Sequence, residues 1–350
     1  MRVESFHFLQ QLERIRTQIS EKQNEVSSGV RVSKPSDDPA NAGIISGLNN
    51  TLGRIDRHEQ RIAYVENLLA TQDNIVANGV NLLTRARELA TQAANEALGT
   101  EEREALGEEV FALRDSMVQL ANSTIYGRYI YAGGADDSPA FALDADTYTE
   151  PGTTIPLTGE NTIATERWTF APTDNSVTGV DEGGVLRTVN ITDDLQVRVT
   201  SRGDDVWERS ITALEQLGRT LFGFRSDQFD EPAPPGTGNP IPGTGDPYDF
   251  ANGEFDQQTA DIRSQLDTIT TAMNEDLIRE RTNLGSRLSR VELAKSVLER
   301  VKTDTLEARS IHRDTDVFGA ASDLTNLQQT LEATLQVGAT FNRLSLLDFL

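Results

Sequence analysis

Apolar residues recur at alternating steps of four and three along both ends of the chain, and the pattern fades in the middle. From Phe8 the steps fall on Leu12, Ile15, Ile19 and Val26, with Lys22 as the one polar occupant. Such spacing lays one apolar seam along a helix, the signature of a coiled coil or bundle. Gly29 then predicts the stop, because glycine accepts the left-handed conformation that a C-terminal cap requires.

Val30–Pro39 (VRVSKPSDDP) reads as a short non-helical stretch, since Pro35 disfavours helix for Lys34 before it. Asp38-Pro39 predicts the next helix start: the aspartate caps orphan N–H groups, and proline in the first turn lacks a donor it would not use. Ser36, Asp37, Asp38 and Pro39 are therefore an inter-helix turn. A metal or catalytic role for the two aspartates is the poorer reading.

The longest seam follows, through Ile44, Leu48, Thr51, Ile55, His58, Ile62 and onward to Ala93 without a break in the four-three rhythm. Sustained for roughly seven heptads, it predicts a helix far longer than the usual ~11–12 residues. His58 and Gln72 hold seam positions where an apolar residue would be simpler. Gly99 breaks the pattern, Thr100 is the expected N-cap of a third helix, and Glu101-Glu102 suit its dipole. That helix ends near Asn122.

Ala140–Ser201 is rich in Thr, Gly, Asp and Pro, with short β-type runs at 168–170, 186–191 and 195–200, and predicts a small β-rich domain. Val206–Phe222 reads as an amphipathic helix. Pro232–Pro247 (PAPPGTGNPIPGTGDP) reads as a loop; its glycines fit neither GxGxxG nor a GK[ST] ending. Helix returns from about Asp256 to Arg309, with a slip of the seam between Met273 and Leu277. Ser322–Leu350 closes the chain, with Ser322 as the expected cap and an apolar stripe from Leu324 to Leu347. The pattern predicts a mainly α protein with a small β-rich insert.

Charge and composition narrow the function. The chain has 350 residues, 55 acidic against 32 basic, and a formal charge of −23. That balance disfavours nucleic acid, which needs a basic face, and anionic lipid. No segment approaches the ~20 apolar residues of a membrane span. With no cysteine, disulfides, thiolate metal sites and cysteine nucleophiles are excluded. Met1–Gln10 shows no signal-peptide h-region or cleavage site, which leaves cytoplasmic residence or export by a route that reads an uncleaved N-terminus. His7, His58 and His312 lie on separate segments; no HExxH is present, and His312-Arg313-Asp314 lacks the companions of a kinase loop. Asp144-Ala145-Asp146 begins like a calcium loop but has Thr149 and Ile155 where glycine and glutamate belong. No catalytic residue, cofactor site or metal site is expected, and the chain is not read as an enzyme.

The ends pose a burial problem. Eight large apolar side chains lie between Val3 and Val26, worth on the order of 16 kcal/mol if all were buried. Ordering thirty residues of backbone costs about 30–60 kcal/mol before helix hydrogen bonds offset part of it. Both ends are therefore expected to be poorly ordered in the free monomer and to fold on assembly; packing on the central bundle is the alternative, and periodicity alone does not separate the two.

Ser27–Pro39 (SSGVRVSKPSDDP), Arg85–Ala94 (RARELATQAA), Gly127–Gly133 (GRYIYAG) and the ending Leu344–Leu350 (LSLLDFL) resemble the flagellin superfamily and, within it, the hook–filament junction proteins, or hook-associated protein 3. The resemblance covers about residues 1–135 and 256–350. It implies terminal helices paired as a coiled coil over 1–40 and 315–350, a helical bundle over 41–135 and 206–314, and a projecting β-rich domain over 136–205. Phe8, Leu12, Ile15, Ile19, Val26, Leu331, Leu335, Phe341, Leu344 and Leu347 would then form the terminal interface.

The resemblance further implies export without a cleaved signal through the flagellar type III apparatus, escorted by a chaperone, to the extracellular hook–filament junction. Partners would be further copies of the chain in a ring, another hook-associated protein on the hook side, and flagellin on the filament side. Filament flagellin is the nearest rival reading, and a secreted coiled-coil adhesin or effector is the rival of another class.

Overall fold

The computed structural model describes residues 2–95, 98–144, 167–171, 174–175, 180–181, 186–224, 248 and 250–347. It is mainly helical: α1 (Arg2–Ser28), α2 (Pro39–Ala93), α3 (Thr100–Ala121), α4 (Arg209–Leu221), α5 (Phe255–Thr271), α6 (Arg279–Arg313) and α7 (Val317–Leu347). Antiparallel strand pairs lie between α3 and α4: β1 (Thr124–Ile125) with β2 (Arg128–Tyr129), β3 (Phe141–Asp144) with β4 (Arg167–Phe170), β5 (Asp174–Asn175) with β6 (Val180–Asp181), and β7 (Thr188–Asn190) with β8 (Gln196–Arg198). The loop expected over Pro232–Pro247 lies outside the described residues. The chain forms two compact units, Met1–His58 with Ser296–Leu350, and Glu59–Lys295.

The 55-residue α2 follows its seam. Every seam position from Ile55 to Ala93 is buried, whereas Ile44 is exposed and Leu48 and Thr51 are half-buried. The two polar or small exceptions within the larger unit have reasons. Gln72 gives its side-chain amide to the Val199 carbonyl at 2.6 Å. At Gly79 a Cβ would fall 2.6 Å from the buried Trp207 ring, so glycine is what lets that ring in.

The same unit packs α3 on α4 through two reciprocal insertions. Phe222 lies over Gly107 of α3, and Phe111 of α3 lies over Gly218 of α4; a Cβ at either glycine would meet the ring at 2.8 Å. The fully buried Arg103 reaches Gln258 at 2.6 Å and Thr259 at 2.9 Å, and stands over the Phe255 ring, tying α3 to α5. Asn122, just past α3, gives and accepts one 2.8 Å hydrogen bond with the Phe141 backbone, which fixes β3 to the helix end.

Four boundaries differ from the sequence reading. Gly99, not Thr100, is the N-cap of α3, and Thr100 is already helical. The helix expected over Val206–Phe222 opens with a π-helical turn, Asp204–Glu208, before α4. The helix expected from Asp256 to Arg309 starts at Phe255, ends at Arg313, and contains a π-helical segment, Ala272–Ile278. That segment spans the seam slip: the wider i→i+5 turn takes up a residue, so that both Ile269 and Leu277 are fully buried. Lastly, α7 begins at Val317 rather than Ser322, because Asp316 accepts from the Phe318 N–H at 3.1 Å and caps it.

Candidate assembly interface

Within the smaller unit, α1 and α7 run antiparallel. Phe8 lies against Gly338 of α7, where a Cβ would collide with its ring. At the other end Lys22 lies 3.6 Å from Asp323, and Glu25 accepts from the Thr315 hydroxyl at 2.5 Å. Leu12 and Ile15 are buried; Phe8, Ile19, Val26 and Leu331 are half-buried; Leu335 is exposed. Phe341, Leu344 and Leu347 belong to α7, and their side chains lie outside the described residues.

Two helices cover one face of each other and little more. Leu9 remains 61% exposed and Val337 53% exposed on the flanks of the pair. Further apolar groups stand in water around the start of α7: Phe318 is 91% exposed and Ile311, late in α6, is 73% exposed.

The chain breaks at 29–38 and 314–316 are joined into a clasp. Gly29 takes φ +68°, ends α1, and accepts from the Thr315 N–H at 3.0 Å. The Arg31 and Val32 N–H groups both donate to the Arg313 carbonyl, at 2.8 and 3.2 Å. The Arg31 guanidinium donates to the His312 carbonyl and to Asp38, each at 3.1 Å. Asn41, in the first turn of α2, meets Nδ1 of His312 at 2.8 Å.

The two aspartates of the turn are occupied as hydrogen-bond acceptors. Asp37 accepts from the Ser33 and Lys34 N–H groups and from the Ser33 hydroxyl, within 2.8–3.0 Å. The Lys34 N–H foremost, then the Ser33 hydroxyl, hold its pKa below the ordinary value. Asp38 caps α2 by accepting from the Asn41 N–H at 3.1 Å and from the Asn41 amide at 2.6 Å. With Arg31 added, these bonds bring its pKa down from 3.8 to about 2. Pro39 starts the helix, and Ser36 sits exposed in the turn. Among the described residues no cluster of three or more His, Asp or Glu groups is arranged to hold a metal, and no helix is long and apolar enough to cross a membrane.

Family models for the bacterial flagellin N-terminal and C-terminal helical regions match residues 2–135 and 266–350, together more than half of the chain. The chain belongs to the flagellin family. With that membership comes a structural role in the bacterial flagellum.

Among solved structures, the flagellin-family fold seen here is similar to that of the junction protein FlgL from Legionella pneumophila (TM-score 0.52, 15% identity, 79% of this chain and 100% of that one). It is also similar to hook-associated protein 3 from Legionella pneumophila (0.51, 14%, 82% and 99%) and to FlgL from Bacillus cereus (0.50, 18%, 75% and 99%). At these identities the likeness is one of fold. No curated protein sequence matches the chain significantly.

Sequence patterns alone leave part of this region unseen. The Arg31–His312 and Asn41–His312 contacts join residues 281 and 271 positions apart, and nothing in a four-three rhythm announces them. Phe318 and Ile311 lie outside the stripe that starts at Leu324. Their signal is negative: large apolar residues beside a helix start with no seam to serve.

Proposed function

We propose that this flagellin-family chain is the adaptor that joins hook to filament, meeting another hook-associated protein on one side and flagellin on the other. The reading is carried by the apolar side chains that a single copy leaves in water around α1, α7 and the clasp, on a fold like that of junction proteins over nearly their whole length. Apolar surface of that extent on an otherwise acidic chain calls for neighbours. Residues 1–40 and 315–350 are the segments that meet those neighbours, with further copies of the chain completing a ring. Before assembly the chain passes through the type III export channel, its C-terminal helix held by a chaperone.

A deletion strain tests this. Hooks should persist, filaments should be absent, and flagellin should appear in the medium. Normal filaments would refute the adaptor role. Immunogold labelling should mark one narrow band at the hook end; label along the whole filament would make the chain a filament flagellin instead.

A further inference from the structure

Sulfur is scarce in this chain and unevenly placed. There is no cysteine, and of the three methionines Met1 lies outside the described residues. Met117 of α3 is fully buried. Met273 is half-buried, which makes it the one sulfur among the described residues that a small solute can reach.

Met273 belongs to the π-helical segment Ala272–Ile278, a kind of turn that is rare and frequent at functional sites. The segment lies along α2. A Cβ at Gly79 would stand 3.3 Å from Leu277, and further along α2 the Thr84 hydroxyl oxygen is 3.9 Å from the Met273 sulfur. Ala272 and Leu277 are fully buried in this contact region, so Met273 is where the packed segment meets water.

The sulfur is not tied up by Thr84. A hydroxyl has a single proton, and Thr84 gives it to the Val80 carbonyl at 2.8 Å. The thioether keeps its lone pairs, and an accessible thioether sulfur is open to oxidation. Oxidation would place an oxygen on it, a far better acceptor than the thioether, at the edge of a helix contact. An acceptor left there without a donor is costly. Thr84 stands in place to be that donor, and the Val80 carbonyl loses little when the hydroxyl turns away, because the helical ladder of α2 already supplies it with the Thr84 N–H.

We propose that Met273 is a modification site oxidised by peroxide, and that Thr84 is the residue that accommodates its sulfoxide. A sulfur lone pair attacks one oxygen of hydrogen peroxide, the O–O bond breaks as the S–O bond forms, and the departing oxygen takes up the remaining proton and leaves as water. Sulfur is oxidised and peroxide is reduced, with no further reactant. The product is the sulfoxide, the rung of the ladder that methionine sulfoxide reductases reverse. Met273 thereby consumes oxidant while the contact between α2 and the π-helical segment stays closed.

The test exposes the purified full chain to hydrogen peroxide and follows each methionine peptide by mass spectrometry. Met273 should gain oxygen at least about tenfold faster than Met117, because susceptibility follows exposure. Equal rates, or a Met273 that stays reduced, would overturn the site. The role of Thr84 is read from thermal midpoints of reduced and oxidised protein, compared within each variant so that a substitution's own effect cancels. Oxidised wild type should melt close to reduced wild type. Thr84→Val keeps the shape and removes only a hydroxyl bonded back within its own helix, so its reduced midpoint should stay near wild type. On oxidation it should lose about 2–4 °C more than wild type does, the shift that one unmet hydrogen bond produces in a unit of this size. Adding Met273→Leu to Thr84→Val should abolish that loss. A loss that persists without Met273 would place the oxidation elsewhere, and an oxidised Thr84→Val protein that melts as oxidised wild type does would remove Thr84 from the sulfoxide.

Discussion

Gln72 gives its side-chain amide to the Val199 carbonyl at 2.6 Å, a bond between two buried residues 127 positions apart. It explains a polar residue on an apolar seam: the amide satisfies a backbone carbonyl that water cannot reach. Gln72→Glu keeps the shape and removes the donor. At neutral pH the carboxylate would face a carbonyl in a dry site, with an expected loss of about 3–5 kcal/mol. The introduced carboxyl has its pKa raised in the folded state, so stability should return as pH falls, once the protonated group can donate again. Urea denaturation at pH 7 and pH 5 measures both limbs. A variant as stable as wild type at pH 7 would mean the amide is not held at that carbonyl.

Gly79 and Trp207 set two effects against each other. Alanine in mid-helix gains roughly 1 kcal/mol over glycine in propensity. Here its Cβ would lie 2.6 Å from a ring that is itself buried and packed edge-on against Tyr131. Overpacking of this kind costs about 1–3 kcal/mol. Gly79→Ala should therefore lower the thermal midpoint. A rise would show that Trp207 can move aside.

These two cases mark how far sequence reading reaches. The seams located the helices, Gly29 and Asp38-Pro39 located the breaks, and the slip between Met273 and Leu277 fell on a π-helical segment. All of those signals are local. The buried Arg103 was invisible, because an arginine among glutamates reads as surface until Gln258 and Thr259, 155 and 156 residues away, are brought to it. The start of α7 was misplaced for a related reason. Asp316 and Ser322 are both competent caps, and the first turn between them carries exposed apolar residues that give no seam to choose by.

The clasp has a pH signature. Asp38 has its pKa depressed to about 2 by Asn41 and Arg31, and Asp37 is lowered in the same direction by Lys34 and Ser33. A depressed carboxylate contributes stability that is present above its unfolded value and lost as pH falls through its folded one. The loss should run from about pH 4 down to about pH 2. Asp38→Asn retains a capping side chain but has no proton to take up. Thermal midpoints recorded between pH 5 and pH 2 should fall less steeply for the variant than for wild type. Parallel curves would place the acid sensitivity elsewhere.

Phe318 separates folding from assembly. At 91% exposure it contributes almost nothing to the isolated chain, so Phe318→Ser should leave monomer stability within about 0.5 kcal/mol of wild type. Leu12 is the opposite case: it is buried between α1 and α7, and Leu12→Ser should cost about 2 kcal/mol or more, from lost burial and a misplaced hydroxyl. If the apolar groups beside the clasp are sheltered by neighbouring subunits, both variants should fail to enter flagella, one with an intact melt and the other with a weakened one. Thermal denaturation of the purified chains and immunoblots of isolated flagella give the two readouts. A Phe318→Ser protein present in flagella at wild-type level would remove that side chain from the interface, and would leave the flanks of the α1–α7 pair as the surface that neighbours cover.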